Sequence, residues 1–225
     1  MQTIYVSNIS YEKAKSTFEK LTSETGYTFS PVNEEESALS AAIRENGIKA
    51  FIADIYPYES ELYKALPRGG VIARYGVGHD SIDKGLASQN GLHVANTPGV
   101  LDNAVAEHAC WMMGAISRHL HTTHGSTVAG EWLPQPGVEL RSRNVAILGF
   151  GRIGQNLCQK LSFGFGMKVT GVDIQPEENF AELKESVGFS QYTTDRDAAL
   201  ADADYVVLLM AVVPATKHIA NANMF

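Results

Sequence analysis

The chain has 225 residues, of which 44% are hydrophobic and 19% charged, with a formal net charge of −7. This composition allows a packed core and excludes a disordered chain, and the acidic balance argues against nucleic-acid binding. The two cysteines, Cys110 and Cys158, lie in apolar, helix-like segments and do not indicate a disulfide framework. The sequence shows no membrane-span or signal-peptide pattern, so we expect a cytoplasmic protein with no membrane partner.

Short apolar segments alternate with amphipathic ones over the first hundred residues. A first helix is predicted to be capped by Ser10 and to run to about Leu21. Further helices are predicted at 34–46 and 58–66, and strands at 2–8, 50–55, 71–75 and 93–96. Such alternation is typical of a parallel sheet that is covered by helices on both faces.

A long helix is predicted from Asp102 to about His121, followed by a crossing at 125–137 that is rich in Gly, Ser, Thr and Pro. This arrangement predicts a first domain at 1–101 and a second at 102–225. Within the second domain, a polar helix is predicted at about 177–187 and strands at 145–148, 167–173, 189–192 and 205–210.

A glycine-rich motif follows the buried strand at 145–148. Gly149, Gly151 and Gly154 have the spacing G-x-G-x-x-G, and a helical pattern starts directly after them. In a dinucleotide site these glycines allow a tight turn, close approach of the pyrophosphate, and close packing of helix on strand. The helix N-terminus then offers unpaired N–H groups to the phosphates.

An acidic residue ends the next predicted strand. Asp173 lies 19 positions after Gly154, where a carboxylate accepts hydrogen bonds from the ribose of NAD and repels a 2′-phosphate. No arginine occurs in the residues 174–178, so the pattern favours NAD over NADP. The alternative is a structural strand–turn–helix unit in which Asp173 only caps a strand.

A second glycine-containing loop, residues 74–83, follows a predicted strand of the first domain. Gly76 and Gly78 would leave backbone N–H groups bare, which suits a carboxylate ligand at the carboxyl end of a strand. The alternative is a tight strand-to-helix turn capped by Asp80 or Ser81, and the residues alone leave both interpretations open.

Two other patterns favour structural roles. The turn Asn96-Thr-Pro-Gly99 follows a strand and by itself indicates a plain turn. The histidines His119, His121 and His124 are not spaced to share one helical face, so we predict no metal site there.

Six motifs occur together in one order. They are R-Y-G-V-G-x-D-x-I-D at 74–83, N-T-P-G at 96–99, A-V-A-E-H at 104–108, G-x-W at 130–132, G-F-G-R-I-G at 149–154 and V-D at 172–173. Over about residues 50 to 225 the chain resembles the NAD-dependent D-isomer-specific 2-hydroxyacid dehydrogenases. The resemblance implies an α/β fold with a flavodoxin-like N-terminal substrate domain and a partial Rossmann NAD-binding domain, both with parallel sheets.

The resemblance also implies an activity and an assembly. The activity is the NADH-linked reduction of a 2-keto acid to a D-2-hydroxy acid, so the expected partners are NAD and a small 2-keto or 2-hydroxy acid. Family members dimerise through the cofactor domain and the helix before it. The apolar segment 104–116 suits such a homodimer, although a core helix would look the same.

Residue roles follow from the same resemblance. Four consecutive residues would hold the substrate carboxylate through their backbone, namely Tyr75, Gly76, Val77 and Gly78. Cofactor contacts would come from Val77, Gly149, Gly151, Arg152, Ile153, Gly154, Asp173, Met210, Ala211 and Thr216. Among these, Arg152 and Ile153 would contact the pyrophosphate, and Asp173 the adenosine ribose. Relatives often have Thr-Pro or Val-Pro in place of Met210 and Ala211.

The family's catalytic Arg, Glu and His follow the segment that corresponds to 216–225 and are therefore expected beyond Phe225, the last residue of this sequence. The resemblance implies a C-terminally truncated chain with no catalytic residue of its own, and we expect no turnover by these 225 residues. Two alternatives are a non-catalytic NAD(H)-binding module and an inactive fragment.

Overall fold

The computed structural model describes residues 2–222 and 224, and the chain forms two compact units that meet in sequence between Val100 and Leu101. Each unit has its own parallel sheet and its own buried core. No helix in the described part of the chain is long and apolar enough to cross a membrane. Phe225, beyond which the family's catalytic side chains are expected, lies outside the described residues.

The first unit is built on a five-stranded sheet whose strands are all parallel. The strands are β1 Gln2–Ser7, β2 Tyr27–Val32, β3 Ala50–Ala53, β4 Val71–Arg74 and β5 His93–Ala95. Their spatial order is β2-β1-β3-β4-β5, which is the order of the flavodoxin-like fold. The predicted fold of this half is therefore confirmed.

Five helices accompany this sheet, namely α1 Asn8–Lys13, α2 Lys15–Thr25, α3 Glu36–Asn46, α4 Glu61–Ala65 and α5 Lys84–Gln89. The core between sheet and helices contains fully buried Leu39, Phe51 and Leu62. Helix α3 is followed by Gly47, whose φ of 62° is the left-handed conformation that terminates many helices.

Two features of this unit differ from the sequence-based expectation. The prediction of a single helix capped by Ser10 is wrong. Ser7 is the N-cap and accepts a hydrogen bond from the Ser10 amide at 3.5 Å. The helix is also interrupted at Ala14, which is the N-cap of α2. Strand β2 was not predicted. It contains Pro31, which a sheet tolerates here because β2 is an edge strand.

The Ser10 side chain instead forms a hydrogen bond with a buried carboxylate. Its hydroxyl donates to Oδ2 of Asp54 at 2.9 Å, and the Lys13 ammonium lies 3.1 Å from the same oxygen. Asp54 is only 3% exposed. Burial alone would raise the pKa of Asp54, but the hydrogen bonds from Ser10 and Lys13 and the Lys13 charge outweigh it and hold this pKa below its usual value.

We expect Asp54 to make the first unit sensitive to acid. Because its folded-state pKa is depressed, the stabilisation is present above the unfolded pKa of about 3.9 and is lost as the pH falls through the folded value. Ser10→Ala should cost about 1.5–3 kcal/mol at pH 7, the usual cost of a hydrogen bond to a charged group, and less at pH 2.5. Urea unfolding at both pH values measures this difference.

The matched control is Ser23→Ala, because the hydroxyl of Ser23 is exposed and bonds only to the Lys20 carbonyl of its own helix. It should lower the unfolding free energy little, and equally at both pH values. A destabilisation by Ser10→Ala that does not change between pH 7 and pH 2.5 would contradict the account of Asp54.

In its described residues the second unit contains a four-stranded parallel sheet and five α-helices. In chain order these are α6 Asp102–Ser117, α7 Leu120–Val128, β6 Asn144–Leu148, α8 Arg152–Gln159, β7 Lys168–Val172, α9 Lys184–Val187, β8 Gln191–Thr193, α10 Arg196–Ala201 and β9 Tyr205–Leu208. The spatial order β8-β7-β6-β9 equals the first four strands of a Rossmann sheet, 3-2-1-4. The predicted partial Rossmann fold is confirmed.

The register aligns the carboxyl ends of three adjacent strands, β7, β6 and β9. Leu148, the last residue of β6, pairs with Val172 of β7 and with Leu208 of β9. The segments that follow these strands therefore leave the sheet at one edge, where ligands bind in open α/β sheets.

The predicted helix from Asp102 to His121 is wrong in its end point. Helix α6 stops at Ser117, His119 adopts a left-handed conformation with φ of 51°, and α7 then runs to Val128. The predicted crossing at 125–137 accordingly begins only after α7. No Gly or Pro marks the break, so local sequence gave no reason to expect it.

The predicted polar helix at 177–187 is also wrong. Its segment forms two 3₁₀ turns, Glu177–Asn179 and Ala181–Leu183, followed by the short α9. The physical reason is Phe180, which is buried and packs its ring against Tyr192 with 4.6 Å between centroids. A continuous helix would have to carry this side chain away from the core.

Candidate cofactor and substrate sites

The three glycines of the turn in the second unit have different surroundings. A Cβ on Gly149 would lie 2.5 Å from the Met210 amide nitrogen, and φ there is 95°. A Cβ on Gly154 would lie 2.4 Å from the Gly149 carbonyl oxygen. A Cβ on Gly151 would meet nothing within 4 Å. The first and third glycines are thus required by packing, while the second faces open space that a ligand can enter closely.

Helix α8 starts at this turn, with Gly151 as its N-cap. The amides of Arg152 and Ile153 are at the first helical positions, which have no intrahelical acceptor, and no other acceptor occurs for them in the described residues. Unpaired N–H groups and the positive end of the helix dipole together favour an anion such as a pyrophosphate.

Asp173 follows β7 and is held by three backbone amides. Its Oδ2 accepts from the Phe150 amide at 2.8 Å, and its Oδ1 accepts from Ile174 at 2.8 Å and from Gln175 at 3.4 Å. The carboxylate is therefore fixed beside the glycine turn. An ionised carboxylate has about four acceptor positions, so at least one is left for a ligand hydroxyl.

Tyr192 fixes the segment that follows Asp173. Its hydroxyl donates to the Gln175 carbonyl at 2.6 Å. Burial, with smaller effects of the Asp173 and Glu177 charges, raises the pKa of Tyr192 to about 12. The hydroxyl consequently remains a protonated donor throughout the physiological pH range.

These groups border a cavity of about 560 Å³ at the carboxyl edge of the sheet. Of the predicted cofactor residues, it brings together Gly149, Gly151, Asp173, Met210, Ala211 and Thr216. The predicted residues Val77, Arg152, Ile153 and Gly154 do not line it. Gly154 lies under the turn, and the Arg152 side chain forms an ion pair with Asp102, with 3.0 Å between Nε and Oδ2.

The segment after β9 closes one wall of this cavity. The Thr216 hydroxyl donates to the Ala211 carbonyl at 2.6 Å and accepts from the Val213 amide at 2.9 Å. These bonds make Met210 to Thr216 a compact turn over the mouth of the cavity, although Met210 and Ala211 depart from the residues that relatives often have.

Thr194 and Arg196 also line the cavity, and the sequence analysis missed both. Arg196 begins α10 and is 41% exposed in its side chain, where it pairs with Asp197. Sheet topology could have indicated them, because both residues follow β8 and the carboxyl ends of parallel strands lie at one edge of the sheet. Arg196 places a positive charge at the same cavity as Asp173, although no arginine directly follows Asp173 in sequence.

In the loop after β4 of the first unit, two backbone carbonyls accept hydrogen bonds from the segment that follows β5. The Thr97 amide donates to the Gly76 carbonyl at 3.0 Å, and the Asn96 side-chain amide donates to the Val77 carbonyl at 2.8 Å. The prediction of a plain turn at Asn96–Gly99 misses this contact. The signal was that β4 and β5 end at the same edge, so the segments after them meet.

The same contacts orient two backbone donors. In a trans peptide the carbonyl and the following N–H point in opposite directions, so the amides of Val77 and Gly78 face away from the Asn96 segment. Neither amide has an acceptor within residues 2–222 and 224. Gly76 has φ of 143°, a conformation that favours glycine. Two adjacent bare N–H groups form a cradle for an anion such as a carboxylate.

The remainder of this loop leads into α5. Asp83 is the N-cap of α5 and accepts a hydrogen bond from the Leu86 amide at 2.9 Å. The alternative prediction, in which Asp80 or Ser81 caps this helix, is therefore wrong. The Tyr63 hydroxyl accepts from the Asp83 amide at 2.7 Å and ties the loop to α4. At its start, the Arg74 guanidinium donates to the Tyr75 carbonyl. The loop is thus anchored at both ends while the Val77 and Gly78 amides stay open.

The described residues include no cluster of three or more His, Cys, Asp or Glu side chains that could hold a metal ion. Both cysteines, Cys110 and Cys158, are buried free thiols. Burial raises the pKa of Cys158 to about 12 and also raises that of Cys110. Neither thiol is therefore poised to act as a nucleophile.

Comparison with known proteins decides the family. The sequence profile described as "D-isomer specific 2-hydroxyacid dehydrogenase, NAD binding domain" matches residues 110–225. The chain belongs to the D-isomer specific 2-hydroxyacid dehydrogenase family. The matched region includes the glycine turn, Asp173 and the cavity, and its geometry fits a dinucleotide, so the predicted cofactor, NAD, is confirmed.

Curated relatives agree with this assignment. The chain is 31% identical over 172 residues to the glyoxylate reductase of Thermococcus onnurineus, covering 72% of this chain and 50% of the relative. It is 33% identical over 153 residues to the hydroxypyruvate reductase of Thermotoga maritima, covering 67% of this chain and 47% of the relative. The chain thus spans about half the length of the curated relatives it matches.

The place of the family's catalytic Arg, Glu and His stays a prediction. They are expected beyond Phe225, a residue that lies outside the part of the chain that the structure describes. The described residues form the cofactor cavity, and the loop after β4 has two backbone amides without an acceptor among them.

Solved structures agree with the fold. A glyoxylate reductase from Paecilomyes thermophila superposes with a TM-score of 0.79 at 25% identity, covering 99% of this chain and 69% of the other. The apo D-lactate dehydrogenase from Escherichia coli superposes with a TM-score of 0.78 at 23% identity, covering 100% and 69%. The second similarity is evidence for the fold alone.

Proposed function

We propose that this chain supplies the cofactor site and the substrate cradle of an NAD-dependent dehydrogenase that interconverts a small 2-keto acid and its D-2-hydroxy acid. The observation that carries the proposal is that one chain combines a dinucleotide-type glycine turn with a separate pair of bare backbone amides. A dinucleotide and a small carboxylate are the ligands that these two arrangements suit.

In the proposed cofactor site the residues bind and orient. The amides of Arg152 and Ile153 hold the pyrophosphate above Gly151, and Asp173 accepts hydrogen bonds from the adenosine ribose. The packing of Gly149 and Gly154 keeps the turn in this shape. The compact turn that begins at Met210 and Ala211 and ends at Thr216 covers the far side. Bound NADH would supply the hydride for reduction of the 2-keto carbon.

In the proposed substrate site the amides of Val77 and Gly78 hold the carboxylate of the 2-keto acid. Tyr75 and Gly76 shape the loop. Two aligned N–H donors match the two oxygens of a carboxylate. The names of the relatives, glyoxylate reductase and hydroxypyruvate reductase, support a short 2-keto acid such as glyoxylate.

The proposal includes a homodimer formed through the second unit. Three large apolar side chains of α6 are solvent-exposed, namely Trp111 at 73%, Met112 at 53% and Ile116 at 64%. Trp132, which follows α7, is 90% exposed. An exposed apolar surface of this kind supports association with a second copy. The cytoplasmic location stays a prediction.

The substrate cradle is tested by titrating the ¹⁵N-labelled chain with glyoxylate and following backbone amide signals by NMR. We expect the signals of Val77 and Gly78 to shift in a saturable way. Glycolaldehyde, which has no carboxylate, should shift neither signal at the same concentrations. Glyoxylate shifts confined to other parts of the chain would contradict the proposed cradle.

Asn96→Ala should weaken glyoxylate binding about fivefold, since the loss of one neutral hydrogen bond costs about 1 kcal/mol. Without the Asn96 amide the Val77 carbonyl is released, and the two donors are no longer held in place before binding. The dissociation constant from the amide shifts measures this effect.

Asn90→Ala is the matched control, because the Asn90 side chain bonds to the Leu86 carbonyl, in α5 and away from the loop. It should leave the dissociation constant for glyoxylate unchanged. Wild-type glyoxylate affinity in Asn96→Ala would show that Asn96 does not orient the cradle.

A further inference from the structure

Arg152 is held by an acidic residue rather than lying free at the start of α8. Its Nε lies 3.0 Å from Oδ2 of Asp102, the first residue of α6. The Asp102 side chain is only 15% exposed, whereas that of Arg152 is 63% exposed. The terminal nitrogens Nη1 and Nη2 of Arg152 form no hydrogen bond with any described residue. One edge of the guanidinium is therefore occupied and the other is open.

The start of α6 is itself fixed to α8. The Lys160 ammonium donates to the side-chain oxygens of Asn103 and Asn156, at 2.7 Å each. The Asn103 side chain also donates to Glu107 at 2.7 Å, within α6. These bonds hold the residue next to Asp102 on the helix that follows the glycine turn. The start of α6, where Asp102 lies, is therefore tied to the end of α8 by side-chain hydrogen bonds.

We propose that Asp102 is a positioning residue that holds the Arg152 guanidinium at the N-terminus of α8, with Nη1 and Nη2 available to the cofactor pyrophosphate. The inference rests on the proposed contact between Arg152 and the pyrophosphate. Asp102 does not touch the cofactor in this account and acts only through Arg152.

Two opposing effects decide the direction of the Asp102 contribution. An exposed arginine loses rotamer freedom when it binds a phosphate, and a carboxylate that already restrains it reduces this loss. The Asp102 charge also opposes an incoming pyrophosphate, but the positive charge of the paired Arg152 guanidinium compensates for it. The restraint is therefore the larger effect, and loss of Asp102 should weaken cofactor binding.

The test is a double-mutant cycle on NADH affinity, measured by fluorescence titration of the folded chain at physiological salt. Arg152→Gln should weaken NADH binding about tenfold, and Asp102→Asn about fivefold, which corresponds to about 1 kcal/mol. The double variant should bind NADH no more weakly than Arg152→Gln alone, because Asp102 acts through Arg152. Asp102→Glu, which keeps the carboxylate, should recover part of the affinity.

The matched control is Asp204→Asn, which makes the same charge change at another arginine partner. Asp204 pairs with Arg143 at 3.3 Å, before β9 and therefore at the opposite edge of the sheet from the cavity. This variant should bind NADH as the wild type does. Thermal melting of every variant establishes that it is folded.

Other results would overturn either the positioning role of Asp102 or the pyrophosphate contact of Arg152. Unchanged or tighter NADH binding by Asp102→Asn, with Arg152→Gln weakened, would overturn the positioning role alone. The same conclusion would follow if Asp102→Asn still weakened binding fivefold in the Arg152→Gln background, since the effect would then be structural. Unchanged binding by Arg152→Gln would overturn the proposed pyrophosphate contact and the positioning role with it.

Discussion

Gly151→Ala is expected to weaken NADH binding by about 10- to 100-fold without unfolding the protein. A Cβ at this position meets no protein atom within 4 Å, so the fold accommodates it. The same Cβ occupies the space through which the pyrophosphate approaches the turn, and overpacking of one methyl group costs about 1–3 kcal/mol. Fluorescence titration with NADH and thermal melting of the unliganded chain measure the two properties separately.

Two further glycine variants separate the ligand effect from a general effect of alanine. Gly164→Ala also places a methyl group in open space, but away from the cavity, and should leave NADH affinity unchanged. Gly149→Ala, with its Cβ 2.5 Å from the Met210 nitrogen, should instead lower the melting temperature. A Gly151→Ala chain with wild-type NADH affinity would show that the pyrophosphate does not approach the turn there.

Asp173→Ala is expected to reduce NADH affinity by about 10- to 100-fold, because hydrogen bonds to a charged group contribute about 1.5–3 kcal/mol. It should reduce NADPH affinity far less, since the 2′-phosphate no longer meets a carboxylate. Arg196 lines the same cavity and supplies a positive charge that favours a phosphate. The ratio of NADH to NADPH affinity should therefore fall at least tenfold, as parallel titrations with both nucleotides would measure.

The control is Asp202→Ala, which removes an acidic side chain of the same unit that lies outside the cofactor cavity. Its ratio of NADH to NADPH affinity should equal that of the wild type. In Asp173→Ala/Arg196→Ala the residual NADPH affinity should fall further, because the remaining positive charge is removed. An unchanged nucleotide preference in Asp173→Ala would contradict the assignment of Asp173 to the ribose.

The cofactor site could be predicted from sequence where its chemistry is local. The glycines at 149, 151 and 154 have conformational and packing roles that depend on their spacing, and the acidic residue at 173 ends the next strand. The buried strands around them are continuous apolar segments, which are typical of parallel sheets. For these features a short stretch of sequence determines most of the local conformation and packing.

Features that depend on contacts between distant segments could not be predicted in the same way. The Asn96 amide orients the loop at Val77 only because β4 and β5 are neighbours. Arg196 reaches the cofactor cavity only because β8 ends beside β7. The ion pair of Arg152 with Asp102 requires α6 to lie on α8. None of these pairings has a local signature.

The limits on helix prediction have a similar origin. The break at His119 has no glycine or proline to mark it, and only the left-handed backbone shows where α6 ends. Phe180 interrupts an otherwise helical pattern because its ring belongs to a cluster with Phe150 and Tyr192. In both places tertiary packing overrides local propensity.

The most direct test of the account is the melting temperature of the purified 225-residue chain as a function of NADH concentration. The account predicts a saturable rise, with a stabilisation of about 2.7 kcal/mol when free NADH is about 100 times its dissociation constant. Gly151→Ala should show a rise only at NADH concentrations about 10- to 100-fold higher. A folded wild-type chain whose melting temperature does not change up to millimolar NADH would contradict the claim that its second unit binds NAD.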